Sequence, residues 1–125
     1  WALAAVSAEA DPVLLRSILG NLFDNAVDYT PAGGTIGIGL AATAQGGVAV
    51  SVVNPAEGLE PADVARLFDR FWRKEAARTG GSHVGLGLSL ARTFATAMGW
   101  TLTAALEGRR LGFTLAGPGD VRARR

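Results

Sequence analysis

A chain of 125 residues, 49% of them apolar, suits a single domain with one hydrophobic core. Its 17 glycines and five prolines argue against an all-helical bundle, and the absence of cysteine removes disulfide frameworks and thiolate metal sites. The lone histidine, His83, argues against a histidine metal cluster or a Ser-His-Asp triad, and a net charge of +1 lacks the electrostatic footprint of a nucleic-acid binder.

No run is long and apolar enough to span a bilayer. The opening WALAAVSAEA has no initiator methionine and no charged leader. A chain that reads directly into structure from Trp1 is expected to be a piece of something longer. Residues 1–118 are expected to form one domain, with 119–125 as a basic, solvated tail ending in VRARR.

In chain order, residues 1–7 fit a short strand. Asp11 and Pro12 then open a helix, the carboxylate as cap and proline at the first helical position. Leu15, Ile18, Leu19, Leu22 and Ala26 recur at helical spacing, and the helix ends near Tyr29, before Pro31 and Gly33-Gly34. TIGIGLA (35–41) and VAVSVV (48–53) read as strands joined by a Gln45-Gly46-Gly47 turn. Gly37 and Gly39 leave one face of the first strand nearly bare, a place where something could lie flat. NPAEGLEP (54–61) reads as a loop, 62–72 as a second helix, and 73–83 as a polar, glycine-bearing connection. A third helix covers 86–98, and WTLTAAL with LGFTLA forms a closing hairpin around EGRR. Mixed helices and hairpins predict an α/β (α+β) two-layer sandwich rather than a doubly wound parallel sheet.

Ser17, Asn21, Asp24, Asn25 and Asp28 recur every three or four residues, so they share one face of the first helix. Asparagine is a poor helix former. Its carbonyl can ligate a hard cation and its amide can donate to a phosphate oxygen. A plain polar surface stripe gives the same pattern. Gly85 and Gly87 likewise either admit an anion to a helix start or simply turn the chain. The only lysine, Lys74, sits between Arg73 and Glu75, which excludes a Walker loop. Leu90 stands where a Rossmann fingerprint needs its third glycine.

Four segments occur in order: NLFDNAVDYTPAGG (21–34), VVNPAEGL (52–59), LFDRFWR (67–73) and GLGLSLA (85–91). Together they resemble the N box, first glycine box, F box and second glycine box of the catalytic ATP-binding domain of bacterial sensor histidine kinases. NP in the first glycine box and LFDRFWR are most similar to the heavy-metal-responsive branch. The resemblance implies the Bergerat ATP-binding fold, a mixed and mostly antiparallel sheet with about three helices on one face. It implies ATP and Mg²⁺ as cofactors. Asn25 would ligate the metal, and Asn21 would reach the phosphates or the metal's waters; both Asn21 and Arg70 would serve transfer. Tyr29 would pack on the adenine. Asp28, Asn54, Gly58 and Leu59 would line the nucleotide, with Arg70 or Arg73 facing the triphosphate. Val84, Gly85, Leu86, Gly87 and Leu88 would close over the phosphates, and Phe68 and Phe71 would pack to anchor this flap. The flap, 73–84, would be mobile without nucleotide.

The same resemblance implies transfer of the γ-phosphoryl to a histidine on a separate dimerisation domain, with a response regulator downstream. It places the domain in the cytoplasm, on a parent anchored in the inner membrane, with the isolated domain monomeric and no nucleic-acid partner. His83, in the flap, is not the phosphorylated histidine and reads as solvent-exposed. Three residues depart from the pattern. Asn54 replaces an aspartate that accepts from the adenine amino group, so the bond persists without charge assistance and weakens. Ala56 replaces a glycine and would be strained at positive φ. Asp28 puts a carboxylate where a basic or uncharged residue is common. These departures leave open a degenerate module acting through protein contacts. Hydrolytic relatives place a glutamate where this chain has Asn21, and an amide cannot act as general base.

Overall fold

The computed structural model describes residues 10–72 and 86–118. The chain order is helix α1 (Pro12–Tyr29), strands β1 (Gly37–Ala42) and β2 (Val48–Pro55), helix α2 (Pro61–Val64), helix α3 (Gly87–Ala97), and strands β3 (Thr101–Glu107) and β4 (Arg110–Gly117). The strands form one sheet in the order β1-β2-β4-β3, and every pairing among the described residues is antiparallel. The two-layer expectation holds.

The first helix starts as its sequence requires. Asp11 lies in extended backbone, and its carboxylate accepts from the N–H groups of Val13 at 2.9 Å and Leu14 at 3.2 Å. Ile18, Leu22 and Ala26, one turn apart, are buried. They meet a sheet face built by the alternating residues Val48 and Val52 on β2, Leu102 on β3, and Leu111, Phe113 and Leu115 on β4. Helix α3 packs along α1 and buries only Ala91 and Ala95, whose short side chains allow close approach. Trp100 closes one end of this core. A Cβ on Gly117 would lie 2.1 Å from its ring, so no larger residue fits there.

Two local expectations are corrected. Asn54 and Pro55 belong to β2 rather than to a loop, because the ladder with β4 continues through Asn54↔Leu111 and Pro55↔Arg110. The helix expected over 62–72 is α-helical only over Pro61–Val64. Beyond it, Arg66, Leu67, Asp69 and Trp72 donate to carbonyls three residues back, and Phe71 has φ +65°. A left-handed residue cannot continue a right-handed helix. The bare face of β1 receives nothing among the described residues. A Cβ on Gly37 or Gly39 would meet only its cross-strand partners Val53 and Ser51, at 3.9 Å. The proposed strand over 1–7 and the tail 119–125 lie outside the described residues.

Candidate nucleotide site

Asn21 and Asn25 stand one turn apart on α1, both half-buried. Asn21 faces α3: a Cβ added to Gly87 would lie 3.4 Å from its Oδ1, at the close end of ordinary van der Waals contact. The mouth of α3 thus lies beside an α1 amide. The Oδ1 of Asn25 is buried and meets no hydrogen-bond donor of the protein. Losing water without gaining a partner costs a polar atom about 1–3 kcal/mol.

Asn54 shares that condition. It is fully buried near the end of β2, the one buried polar side chain among the described residues. Its Nδ2 donates to the Pro55 carbonyl at 2.8 Å, while its Oδ1 has no partner. The amide is thus oriented by its own neighbour, with its acceptor left over. Ala56, next along, is 3% exposed and donates its N–H to the Arg109 carbonyl at 2.8 Å. The anticipated strain at Ala56 is absent. Phe71 is the only non-glycine with positive φ among the described residues, and in this loop Gly58, at φ +82°, makes the left-handed turn. Gly58 and Leu59 line an open recess of about 400 Å³ with Ala56, Glu57, Gly108 and Arg109.

Tyr29 ends α1, half-buried, with Asp28 exposed beside it. Leu86 is the residue before α3 and accepts from the Leu90 N–H and the Ser89 hydroxyl, with Gly87 and Leu88 in the first turn. Arg70 is exposed and lines a different recess, of about 440 Å³, with Phe68, Asp69, Ser89, Arg92 and others. The lining of that recess includes neither α1 amide nor Asn54. Arg73, Val84 and Gly85, with the 73–84 flap and His83, lie outside the described residues. Phe68 packs as expected, its ring edge-on to Phe113 at 6.1 Å. Phe71 does not: its left-handed backbone turns the ring outward and leaves it 67% exposed. One further contact carries no local signal, the guanidinium of Arg92 over the Phe68 ring at 4.3 Å. No residue spacing encodes a pairing between a turn and a later helix.

Residues 10–118 match the family model described as histidine kinase-, DNA gyrase B- and HSP90-like ATPase. The chain belongs to this family. Within it, the relatives are sensor histidine kinases. The sensor histidine kinase CusS of Escherichia coli strain K12 is 36% identical over 109 residues, covering 86% of this chain and 22% of CusS. The sensor protein CiaH of Streptococcus pneumoniae serotype 4 is 40% identical over 96 residues, covering 74% of this chain and 21% of CiaH. The chain therefore spans about a fifth of the curated relatives it matches. Among solved structures, the mycobacterial sensor histidine kinase MprB superposes with a TM-score of 0.78 at 25% identity, over 90% of this chain and 76% of that one. Full-length ShkA, solved in complex with AMPPNP, gives 0.76 at 30% identity, over 92% of this chain and 23% of that one. The chain is an ATP-binding domain of the histidine kinase type, and the probable sensor protein PcoS of Escherichia coli is also 36% identical over 104 residues.

Proposed function

We propose that this domain binds Mg-ATP and presents its γ-phosphoryl to a histidine on a separate dimerisation domain of a sensor kinase, which in turn serves a response regulator. The observation that carries the proposal is the pair of buried, unpartnered side-chain oxygens on Asn25 and Asn54. Each is an acceptor kept free at a cost, and a ligand with complementary groups would satisfy both. A purine amino group suits the Asn54 Oδ1, which its own Nδ2–Pro55 bond holds as an acceptor. A hard cation suits the Asn25 Oδ1, because magnesium takes oxygen ligands and keeps several waters, so one protein oxygen is enough beside phosphates. When bound, the metal would neutralise phosphate charge.

The remaining roles belong to positioning and charge, as phosphoryl transfer requires. Asn21, against Gly87, would orient the phosphates where α3 begins. Tyr29 would offer its ring to the base, and Asp28, Gly58, Leu59, Leu86 and Leu88 would wall the site. Arg70 or Arg73 would face the triphosphate. Asn21 lacks the basicity to take a proton from water, which favours transfer over hydrolysis. No helix among the described residues is long and apolar enough to cross a membrane. We place this domain at the cytoplasmic side of a membrane-anchored parent.

Calorimetry with ATP, with and without Mg²⁺, tests the proposal. Binding should require the metal, and Asn25→Ala should lower affinity at least about tenfold, the scale of losing a metal-site interaction. Equal affinity in that variant would remove Asn25 from the metal. Steady phosphate release by the isolated chain would contradict transfer as its chemistry.

A further inference from the structure

Residues 65–72 have little backbone to hold them. Their hydrogen bonds are single turns, Arg66 to Asp63, Leu67 to Val64, Asp69 to Arg66 and Trp72 to Asp69, and Phe71 is left-handed. Side chains do the anchoring. Leu67 is 5% exposed, and Phe68 lays its ring edge-on to Phe113, itself 1% exposed in the middle of β4. The Arg92 guanidinium lies over the Phe68 ring, 4.3 Å from the centroid. Phe68 thus contacts both Phe113 of the sheet and Arg92 of α3. Asp69 is in the same recess but pairs with Arg66 at 3.5 Å. Five residues before Arg92 along α3 stands Gly87, beside Asn21.

We propose that Arg92 is a positioning residue for the nucleotide site: its guanidinium clamps the Phe68 ring and so fixes the 65–72 segment, Arg70 included, to the helix that carries Gly87. The clamp joins two parts that share no backbone ladder. A guanidinium over an aromatic face at a partly exposed site contributes roughly a two- to fivefold preference for the stacked arrangement. The role rests on the nucleotide-binding proposal above; the clamp itself does not.

The test uses the 125-residue chain with ATP and magnesium as probes, and compares Arg92→Leu, Arg92→Lys, Phe68→Leu and the double variant Phe68→Leu/Arg92→Leu. In Arg92→Leu, amide exchange at Leu67, Asp69 and Trp72 should accelerate about two- to fivefold, and ATP affinity should fall by a similar factor. Exchange along α1 should stay at the wild-type rate. Arg92→Lys keeps a cation over the ring and should recover most of both losses. In the Phe68→Leu background, Arg92→Leu should add nothing. Unchanged exchange in Arg92→Leu, failure of lysine to rescue, or additivity in the double variant would each overturn the clamp. If Arg92→Leu does not fold, Arg92→Gln carries the same readings. A wild-type chain that bound no nucleotide would overturn the functional proposal and the positioning role with it. A wild-type chain that bound ATP beside an indifferent Arg92→Leu would overturn the clamp alone.

Discussion

Asn21 and Asn25 ride on an 18-residue helix with a side-chain cap and a continuous buried stripe, and Asn54 sits in β2 where the ladder with β4 pairs it with Leu111. Residues 65–72 have neither support, and a stack of two rings and a guanidinium holds them instead. Regular backbone hydrogen bonds fix the first region whatever its side chains do next, so it can keep buried acceptors unpartnered. The second region is fixed only as firmly as its side-chain contacts, each worth about 1 kcal/mol. The molecule therefore combines a rigid polar floor with an adjustable wall.

Substitutions can separate the two. The largest effect is expected from Phe113→Ala, which removes the ring shared by the core and the stack. It should cost about 3–5 kcal/mol by chemical denaturation, and amides at 65–72 should lose protection before those of α1. Simultaneous loss in both regions would show that they unfold as one unit. Asn54→Leu sharpens the comparison from the other side. It removes an orphaned acceptor but also the Nδ2 bond to the Pro55 carbonyl, so the two effects offset and stability should stay within about 1 kcal/mol of wild type. ATP affinity should collapse in the same variant; retained binding would place the purine elsewhere. The smallest effect is expected from Phe71→Gly. Relieving a left-handed non-glycine recovers about 1 kcal/mol, partly offset by glycine's chain entropy. A slightly raised melting temperature should result, and a lowered one would mean that the exposed ring has a partner.

The sequence made α1 legible to the residue because its signals agree. Asp11 and Pro12 mark the start, four-residue apolar spacing marks the buried face, and Pro31 with the Gly33-Gly34 pair marks the end. The β3–β4 hairpin was equally plain from EGRR between two apolar runs. The 62–72 segment misled because ADVARLFDRFW is helical by spacing, and no local feature announces that Phe71 turns left-handed. Asn54-Pro55 misled in the opposite sense, since proline after asparagine signals a turn while the ladder to β4 carries the strand through it. The amides of the candidate site could be found from their spacing on one helix face, but not their orphaned state.

Sequence alone determined the parts governed by local rules: where α1, α3 and the closing hairpin lie, which face of α1 is apolar, and which four motifs appear in order. Only the tertiary structure decided that Gly87 abuts Asn21, that Asn25 and Asn54 keep unpaired oxygens, and that Arg92 covers Phe68. The physical reason is that hydrogen-bond satisfaction and ring stacking depend on elements far apart in the chain, whereas helix caps and apolar periodicity are settled within a few residues.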